Sequence, residues 1–195
     1  QTVEAKTRKL SARWTFEAAQ DAQAMHGLDV EAEIMAALAQ EITAEIDQEI
    51  LASLTSLAGT SGLAYDQNTV SGTATFVGDE HAALAVLVNR AANDIAARTR
   101  RGAGNWMVVS PTVLTVLQSA TTSAFARTTE GPFEAPTNTK FVGTLNGSMR
   151  VYVNQYATND NILIGYKGSN ETDAAAFYCP YIPLMSSGTV LDPST

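Results

Sequence analysis

The 195-residue chain reads as an α+β protein, and three observations carry that reading. Val30, Ile34, Leu38, Ile42, Ile46, Ile50 and Leu54 recur every fourth position, which is the signature of a long helix. Two apolar runs, 140–145 and 148–153, flank Asn146-Gly147, the strongest short-range signal for a β-hairpin. Helical patterns come first, and strands mixed with short helices follow, unlike the regular alternation of a parallel α/β sheet. At 45% hydrophobic and 16% charged residues the chain is neither a disordered polar tract nor a coiled-coil rod. Its length suits one domain, or one domain with a lobe, burying roughly 70% of the unfolded surface.

The first segment alternates. Val3, Ala5 and Thr7 interleave with Glu4, Lys6 and Arg8, and the alternation resumes out of phase at Leu10, Ala12, Trp14 and Phe16. Period two predicts extended chain with one face covered. Leu10, Trp14 and Ala18 also fall at helical spacing, but Thr15 is a good N-cap with Glu17 in the first turn, so a short helix starts there instead. Gly27 closes it after His26. Asp29 then caps the long helix, with Glu31 and Glu33 in the first turn, where they complement the helix dipole. Nearly 30 residues make a rod of roughly 45 Å at about 1.5 Å per residue. A period of 4.0 on 3.6 residues per turn advances about 40° each step, so the apolar stripe winds around the axis. One flat partner cannot cover it, and the helix should pass several packing surfaces, as a spine does.

Residues 58–78, rich in Gly, Ser, Thr and Asn, read as loop or short strands. Asp79 is the expected cap of a second helix with core face Leu84, Leu87, Val88, Ala91 and Ile95, ending in Arg98-Thr-Arg-Arg-Gly102 with glycine as the C-cap. Residues 106–109 form a buried strand. Ser110-Pro111 is an N-cap followed by proline, so 112–119 is a short helix facing inward through Val113, Val116 and Leu117. Residues 121–139 lack periodicity and read as a long surface loop, uncommon in a compact domain unless it binds something. Strands are expected at 161–166 and at 173–181, the latter ended by Pro180 and Pro183.

The net charge of −8 is unevenly placed. Residues 1–13 carry +3, 14–89 carry −12 with no Lys or Arg, 90–150 carry +4, and 151–195 carry −3. An acidic total speaks against general nucleic-acid binding, which needs clustered cations. Segregated charge instead lets opposite segments find one another, within a chain or between copies. Glu41, Glu45 and Glu49 form a like-charged row costing a few tenths of a kcal/mol per pair. Either it is a solvated face or a basic segment lies against it on assembly. Lys6, Arg8 and Arg13, with Arg98, Arg100 and Arg101, are the candidate partners for such contacts between subunits.

The search for chemistry finds little. His26 and His81 are far apart with no cysteine near either, which excludes a zinc motif, and each reads as a surface or capping histidine. Gly102-Ala-Gly104 follows a helix and precedes a strand, the reverse of a phosphate loop, and 107 is not glycine. No Gly-x-Ser-x-Gly elbow exists. The acids lack the stacked aromatics of a sugar cleft, and Trp14 and Trp106 read as core. No catalytic residue, cofactor or metal is expected. Cys179, the single cysteine, is expected to be a small buried hydrophobe. No internal disulfide is possible, no apolar leader begins the chain, and no stretch approaches 18 apolar residues, a pattern that fits a reducing compartment. Asn146-Gly-Ser and Asn170-Glu-Thr match the glycosylation triplet, as chance allows in a chain rich in Ser and Thr. The start at Gln1 and the end at Asp-Pro-Ser-Thr suggest a piece of a longer polypeptide.

Residues 101–117 (Arg-Gly-Ala-Gly-Asn-Trp-Met-Val-Val-Ser-Pro-Thr-Val-Leu-Thr-Val-Leu), the hairpin from Phe141 to Tyr156, and Gly165-Tyr-Lys-Gly-Ser-Asn-Glu-Thr-Asp-Ala174 with Tyr178-Cys-Pro-Tyr181 resemble the major capsid proteins of T-even-type tailed bacteriophages. Val3-Glu-Ala-Lys-Thr-Arg and His26-Gly-Leu-Asp29 resemble the same family, so the likeness covers the chain in order. It implies the Hong Kong 97-type capsid fold, with a long spine helix in a peripheral domain and a central sheet in an axial domain. On that likeness 1–14 is the return strand of an extended loop, 15–57 the peripheral domain with its spine helix, 58–165 mostly axial domain, and 166–195 a return toward the peripheral domain. It further implies a virion protein, made in the host bacterial cytoplasm, whose copies form hexameric capsomers of an icosahedral or prolate head. A related vertex protein, decoration proteins and packaged DNA bound without sequence specificity would be its other partners, and no membrane is involved. The alternatives are a nanocompartment shell protein of the same fold, or a cytoplasmic α+β enzyme or binding module using the 121–139 loop.

Overall fold

The computed structural model describes residues 2–66, 77–119, 125–127, 139–145 and 148–191. In chain order the elements are α1 (Phe16–His26), α2 (Val30–Ala58), α3 (Val77–Thr99), β1 (Trp106–Val109), α4 (Pro111–Ser119), β2 (Phe125–Arg127), β3 (Thr139–Leu145), β4 (Met149–Asn154) and β5 (Leu163–Gly165). The fold is α+β. Two compact units divide the chain: Gln1–Ile46 with Tyr178–Thr195, and Asp47–Phe177.

In the first unit, residues 2–14 form neither helix nor strand, and Val3 is 89% exposed. The expected covered face is therefore absent: alternation prepares a strand, but a strand also needs a neighbour's hydrogen-bonding edge, and the described residues supply none. α1 forms as its ends dictate. The Thr15 hydroxyl accepts the Ala18 N–H at 3.2 Å, and Gly27 adopts the left-handed φ of 65° that lets its N–H reach back to the last carbonyls. The Asp29 carboxylate caps α2 by accepting from the Glu31 N–H at 3.1 Å. All seven residues of the winding stripe on α2, from Val30 to Leu54, are half-buried. Only Ala44 on this 29-residue helix is fully buried. A stripe that rotates cannot sink into one surface at full depth, so coverage is shallow and spread along the rod.

The second unit holds a five-stranded sheet in the order β2-β3-β4-β1-β5. β3 and β4 are the expected antiparallel hairpin, with Leu145 opposite Met149 and a register irregularity between Phe141 and Gly143. The Asn146-Gly147 turn itself lies outside the described residues. β1 runs parallel to β4, Trp106 facing Arg150 and Val109 facing Val153, and antiparallel to the edge strand β5. A strand with neighbours on both sides is buried almost continuously, and Met107 and Val109 are 0% and 1% exposed. Leu84, Val88 and Ala92 of α3 and Val113 and Leu117 of α4 join Met107, Val151 and Leu145 in the core.

Several expectations need correction. α3 starts at Val77, so Asp79 falls within its first turn and does not cap it. Its buried face is Leu84, Ala85, Val88 and Ala92, while Leu87, Ala91 and Ile95 are half-buried. Alanine contributes little to an apolar pattern, yet it is what lets the backbone at Gly104 come within 3.4 Å of the Ala92 Cα, measured from the position a Cβ on Gly104 would take. The left-handed residue after α3 is Arg100, at φ 54°, and not Gly102. Ser110 does cap α4: its hydroxyl accepts the Val113 N–H at 3.3 Å and donates to Asp160 at 2.7 Å. Within the stretch expected to be a long loop, Phe125–Arg127 is a strand paired with β3; 121–124 and 128–138 lie outside the described residues, as do 67–76 of the expected 58–78 loop. Residues 173–181 are not a strand, and Cys179 is exposed. Two prolines so close together remove the donors a ladder requires.

Candidate functional site

Two of the stretches that carry the family likeness are far apart in sequence and docked on each other in space. One, 101–106, joins the end of α3 to β1. The other, 165–174, leaves β5. Antiparallel pairing of β1 with β5 sets Trp106 opposite Gly165 and brings the flanking residues together. A Cβ on Gly165 would stand 2.0 Å from Cζ2 of Trp106, so the indole ring occupies the space a side chain would take. The same holds at Gly102, where a Cβ would meet the Tyr166 ring at 2.6 Å, and at Gly104, where it would meet Ile164 at 2.8 Å. These glycines admit neighbouring side chains; reading Gly102 as a helix stop missed this, since sequence does not say what lies across from a glycine.

Asn105 completes the dock. Its backbone N–H donates to the Gly165 carbonyl at 2.9 Å, and its carbonyl accepts from the Arg150 N–H at 3.0 Å. Its side-chain amide donates to the Lys167 carbonyl at 2.7 Å and accepts from the Lys167 N–H at 3.0 Å. A side chain thus imitates one more residue of strand pairing. Arg101 forms an ion pair with Asp173, and the Tyr166 hydroxyl donates to the Arg101 carbonyl at 3.4 Å. The 167–173 turn closes on itself: the Gly168 N–H donates to Asp173, the Asp173 N–H to Asn170, and Lys167 Nζ to the Asn170 carbonyl. The Arg101 side chain is 60% exposed, which limits its ion pair to about 1 kcal/mol or less.

Beside this dock lies an open groove of about 710 Å³. It is lined by Ile50 and Leu54 of α2, by Trp106, Arg150, Tyr152 and Tyr166, and by Ala174-Ala175-Ala176. Among the described residues that line it, the charged ones, Arg150 and Lys167, are both positive. Elsewhere in the same unit, Gln48 of α2 and Asn154 of β4 exchange amide hydrogen bonds at 3.0 and 3.1 Å. Asp47, on the adjacent position of α2, has one carboxylate oxygen buried with no hydrogen-bond partner among the described residues, and burial pushes its pKa up.

Of the nine residues expected to meet other subunits, Arg8, Glu45 and Arg101 stand in ion pairs within the chain. Arg8 lies 2.7 Å from Glu45, both in the first unit, and Arg101 is held by Asp173. Lys6, Arg13, Glu41, Glu49, Arg98 and Arg100 are exposed on the surface. Asp173 and Asn105 escaped attention because neither stands in a motif of known chemistry. His26 ends α1, and His81 meets the Ser119 hydroxyl at 2.5 Å, tying α3 to α4. Among the described residues, no cluster of His, Cys, Asp and Glu is arranged to hold a metal, and no helix is long and apolar enough to cross a membrane.

Comparison with known proteins gives this dock its context. All of residues 1–195 match the family described as Major capsid protein Gp23. The major capsid protein of Vibrio phage KVP40 is 39% identical over 94% of this chain and 39% of its own length. That of Enterobacteria phage T4 is 36% identical over 94% of this chain and 38% of its own length, and that of Salmonella phage ViI is 33% identical over 94% and 43%. The chain therefore spans about two fifths of the length of these relatives. Matched from end to end, the chain belongs to the Gp23 major capsid protein family of tailed bacteriophages, a structural and non-enzymatic family.

Proposed function

We propose that this chain works as part of a shell subunit of the Hong Kong 97-type capsid fold, which self-assembles through hexameric capsomers into an icosahedral or prolate phage head around packaged DNA. The family match over every residue carries this reading. The division of the chain supports the domain assignment that goes with it. Residues 178–195 share a unit with 1–46, as a return toward the peripheral domain requires, and α2 runs from that unit into the sheet-bearing one, as a spine does. On this reading the sheet of β1–β5 is axial, 2–14 is the return strand awaiting its partner, and the unit boundary falls within the spine helix and not after residue 57.

Surface chemistry supports assembly as well. Phe16, Met25, Leu57 and Val86 are large apolar residues left exposed in helices, which is what a subunit that buries faces against sibling copies presents. The Arg8–Glu45 pair supports recognition between the basic first segment and the acidic row of α2. In a shell, Lys6, Arg13, Arg98, Arg100 and Arg101 extend the same complementarity to the same or neighbouring copies, fixing register more than affinity. A vertex protein and decoration proteins would meet the same surfaces, and a net charge of −8 fits DNA that is enclosed without being gripped. Negative-stain microscopy of the full-length protein tests the reading: closed or tubular shells built of hexamers are expected, and a monomer by light scattering at all concentrations overturns it.

A further inference from the structure

Within the second unit, one face of the sheet is only partly covered. On β4, Met149, Val151 and Val153 are buried in the core, so alternation turns Arg150 and Tyr152 to the other face. The parallel register sets Trp106 of β1 beside Arg150. The Trp106 ring overlies the Gly165 backbone on β5, three of its atoms standing within 2.7 Å of where a Cβ would be. Glycine there lets an indole lie across a strand and keep its outer face for the groove that it lines. Tyr166 is seated against Gly102 in the same manner. Trp106, Tyr152 and Tyr166 are half-buried, whereas Arg150 and Lys167 at the same groove are exposed. Arg150 makes no ion pair with a described residue.

Aromatic rings flanked by cations suit a ligand that is planar in one part and anionic in another. Carboxylate side chains would satisfy Arg150 and Lys167 but bring nothing flat to the rings, and duplex DNA keeps its base faces stacked inside the helix. Unpaired nucleotides satisfy both halves, with bases on the rings and phosphates on the cations, whatever the sequence. The volume of about 710 Å³ lies in the range of ligand sites, and no carboxylate is among the described lining residues to repel a phosphate. The net charge of −8 opposes a polyanion at long range, so the attraction is local.

We propose that this groove binds single-stranded nucleic acid, with Trp106, Tyr152 and Tyr166 as the stacking surface and Arg150 and Lys167 each on a phosphate. The assignment goes beyond the shell reading, which requires no contact with unpaired bases. Full-length protein titrated with a fluorescein-labelled oligothymidylate and followed by anisotropy tests it. Two phosphate contacts predict a slope of about −1.4 for log affinity against log salt, at about 0.7 per contact on a single strand. Arg150→Gln and Lys167→Gln, both at exposed positions, are each expected to weaken binding about eightfold in about 50 mM salt and to lower the slope by about 0.7. Arg98→Gln makes the same charge change at a residue that does not line the groove, and should leave the slope as it was. An oligothymidylate carrying iodouracil should photo-crosslink to Trp106, Tyr152 or Tyr166, as read by mass spectrometry of the peptides. Equal binding of an abasic oligomer or of polyglutamate would show that charge alone is recognised, and overturns the assignment. Tighter binding of duplex DNA, crosslinks confined to other residues, or no anisotropy change up to about 100 μM protein at low salt also overturns it. Each of these results leaves the shell reading standing, since that reading fails on microscopy and light scattering instead.

Discussion

The side-chain amide of Asn105 holds the backbone of Lys167 from both sides, donating to its carbonyl at 2.7 Å and accepting from its N–H at 3.0 Å. This pair fixes where the 167–173 turn leaves the sheet, at a residue that lines the aromatic groove. Asn105→Ala removes both bonds, and each contributes about 0.5–1.5 kcal/mol in a partly exposed setting, so a loss of about 1–2 kcal/mol is expected. Asn105→Asp keeps the acceptor but sets a carboxylate against the Lys167 carbonyl, and should be no better than alanine. Urea denaturation followed at the Trp106 fluorescence band reads both.

Gly165→Ala is expected to be worse. The new methyl would stand 2.0 to 2.3 Å from the Trp106 ring, and neither the indole nor the paired strands can yield that much without breaking the β1–β5 edge. Overpacking of this kind costs about 3 kcal/mol or more. Gly62→Ala is the control, since nothing lies within 4 Å and only its φ of +73° resists the change, for about 1 kcal/mol. If the two variants unfold at the same denaturant concentration, ring packing is not what Gly165 provides.

What could be read from residue order was mostly what residues settle with near neighbours. The Thr15 and Ser110 caps, the Gly27 stop, the stripe from Val30 to Leu54 and the hairpin pairing Leu145 with Met149 all depend on groups a few positions apart. The parallel pairing of β1 with β4 and the role of Asn105 depend on partners tens of residues away, and no local pattern announces them. The period-two segment before Thr15 and the apolar run around Cys179 misled for a related reason. Such patterns show that a face is made to be covered, and within the described residues of this single chain that cover is missing.

Asp47 supplies a pH-dependent prediction. Burial raises its pKa above the ordinary 3.8. A carboxyl whose folded pKa is raised weakens the fold when ionised, so the penalty is full above the raised pKa and disappears as pH falls to the unfolded value and below. Asp47→Asn is expected to raise stability near pH 7 and to change nothing below the unfolded pKa. Thermal unfolding across that range checks it, and an equal gain at all pH values would point to hydrogen bonding by the new amide instead.

The acidic row of α2 offers the sharpest separation of folding from assembly. Arg8 pairs with Glu45, whose side chain is 56% exposed, so the contact holds the monomer by about 1 kcal/mol at most. Reversing Glu41, Glu45 and Glu49 to Lys should therefore leave the unfolding midpoint almost unchanged, because none of the three is buried. The same reversal would set cations against Lys6, Arg8 and Arg13 wherever the basic segment of this or a neighbouring copy lies along the row, and like charges at a contact oppose association by several kcal/mol. Particle yield by electron microscopy is expected to collapse while circular dichroism stays native. Charge reversal at Lys6, Arg8 and Arg13 in the same molecule should restore part of that yield, since it rebuilds the complementarity with the signs exchanged. Unchanged yield in the Glu-to-Lys variant would return the row to a solvated face and leave the shell to be held by its apolar contacts.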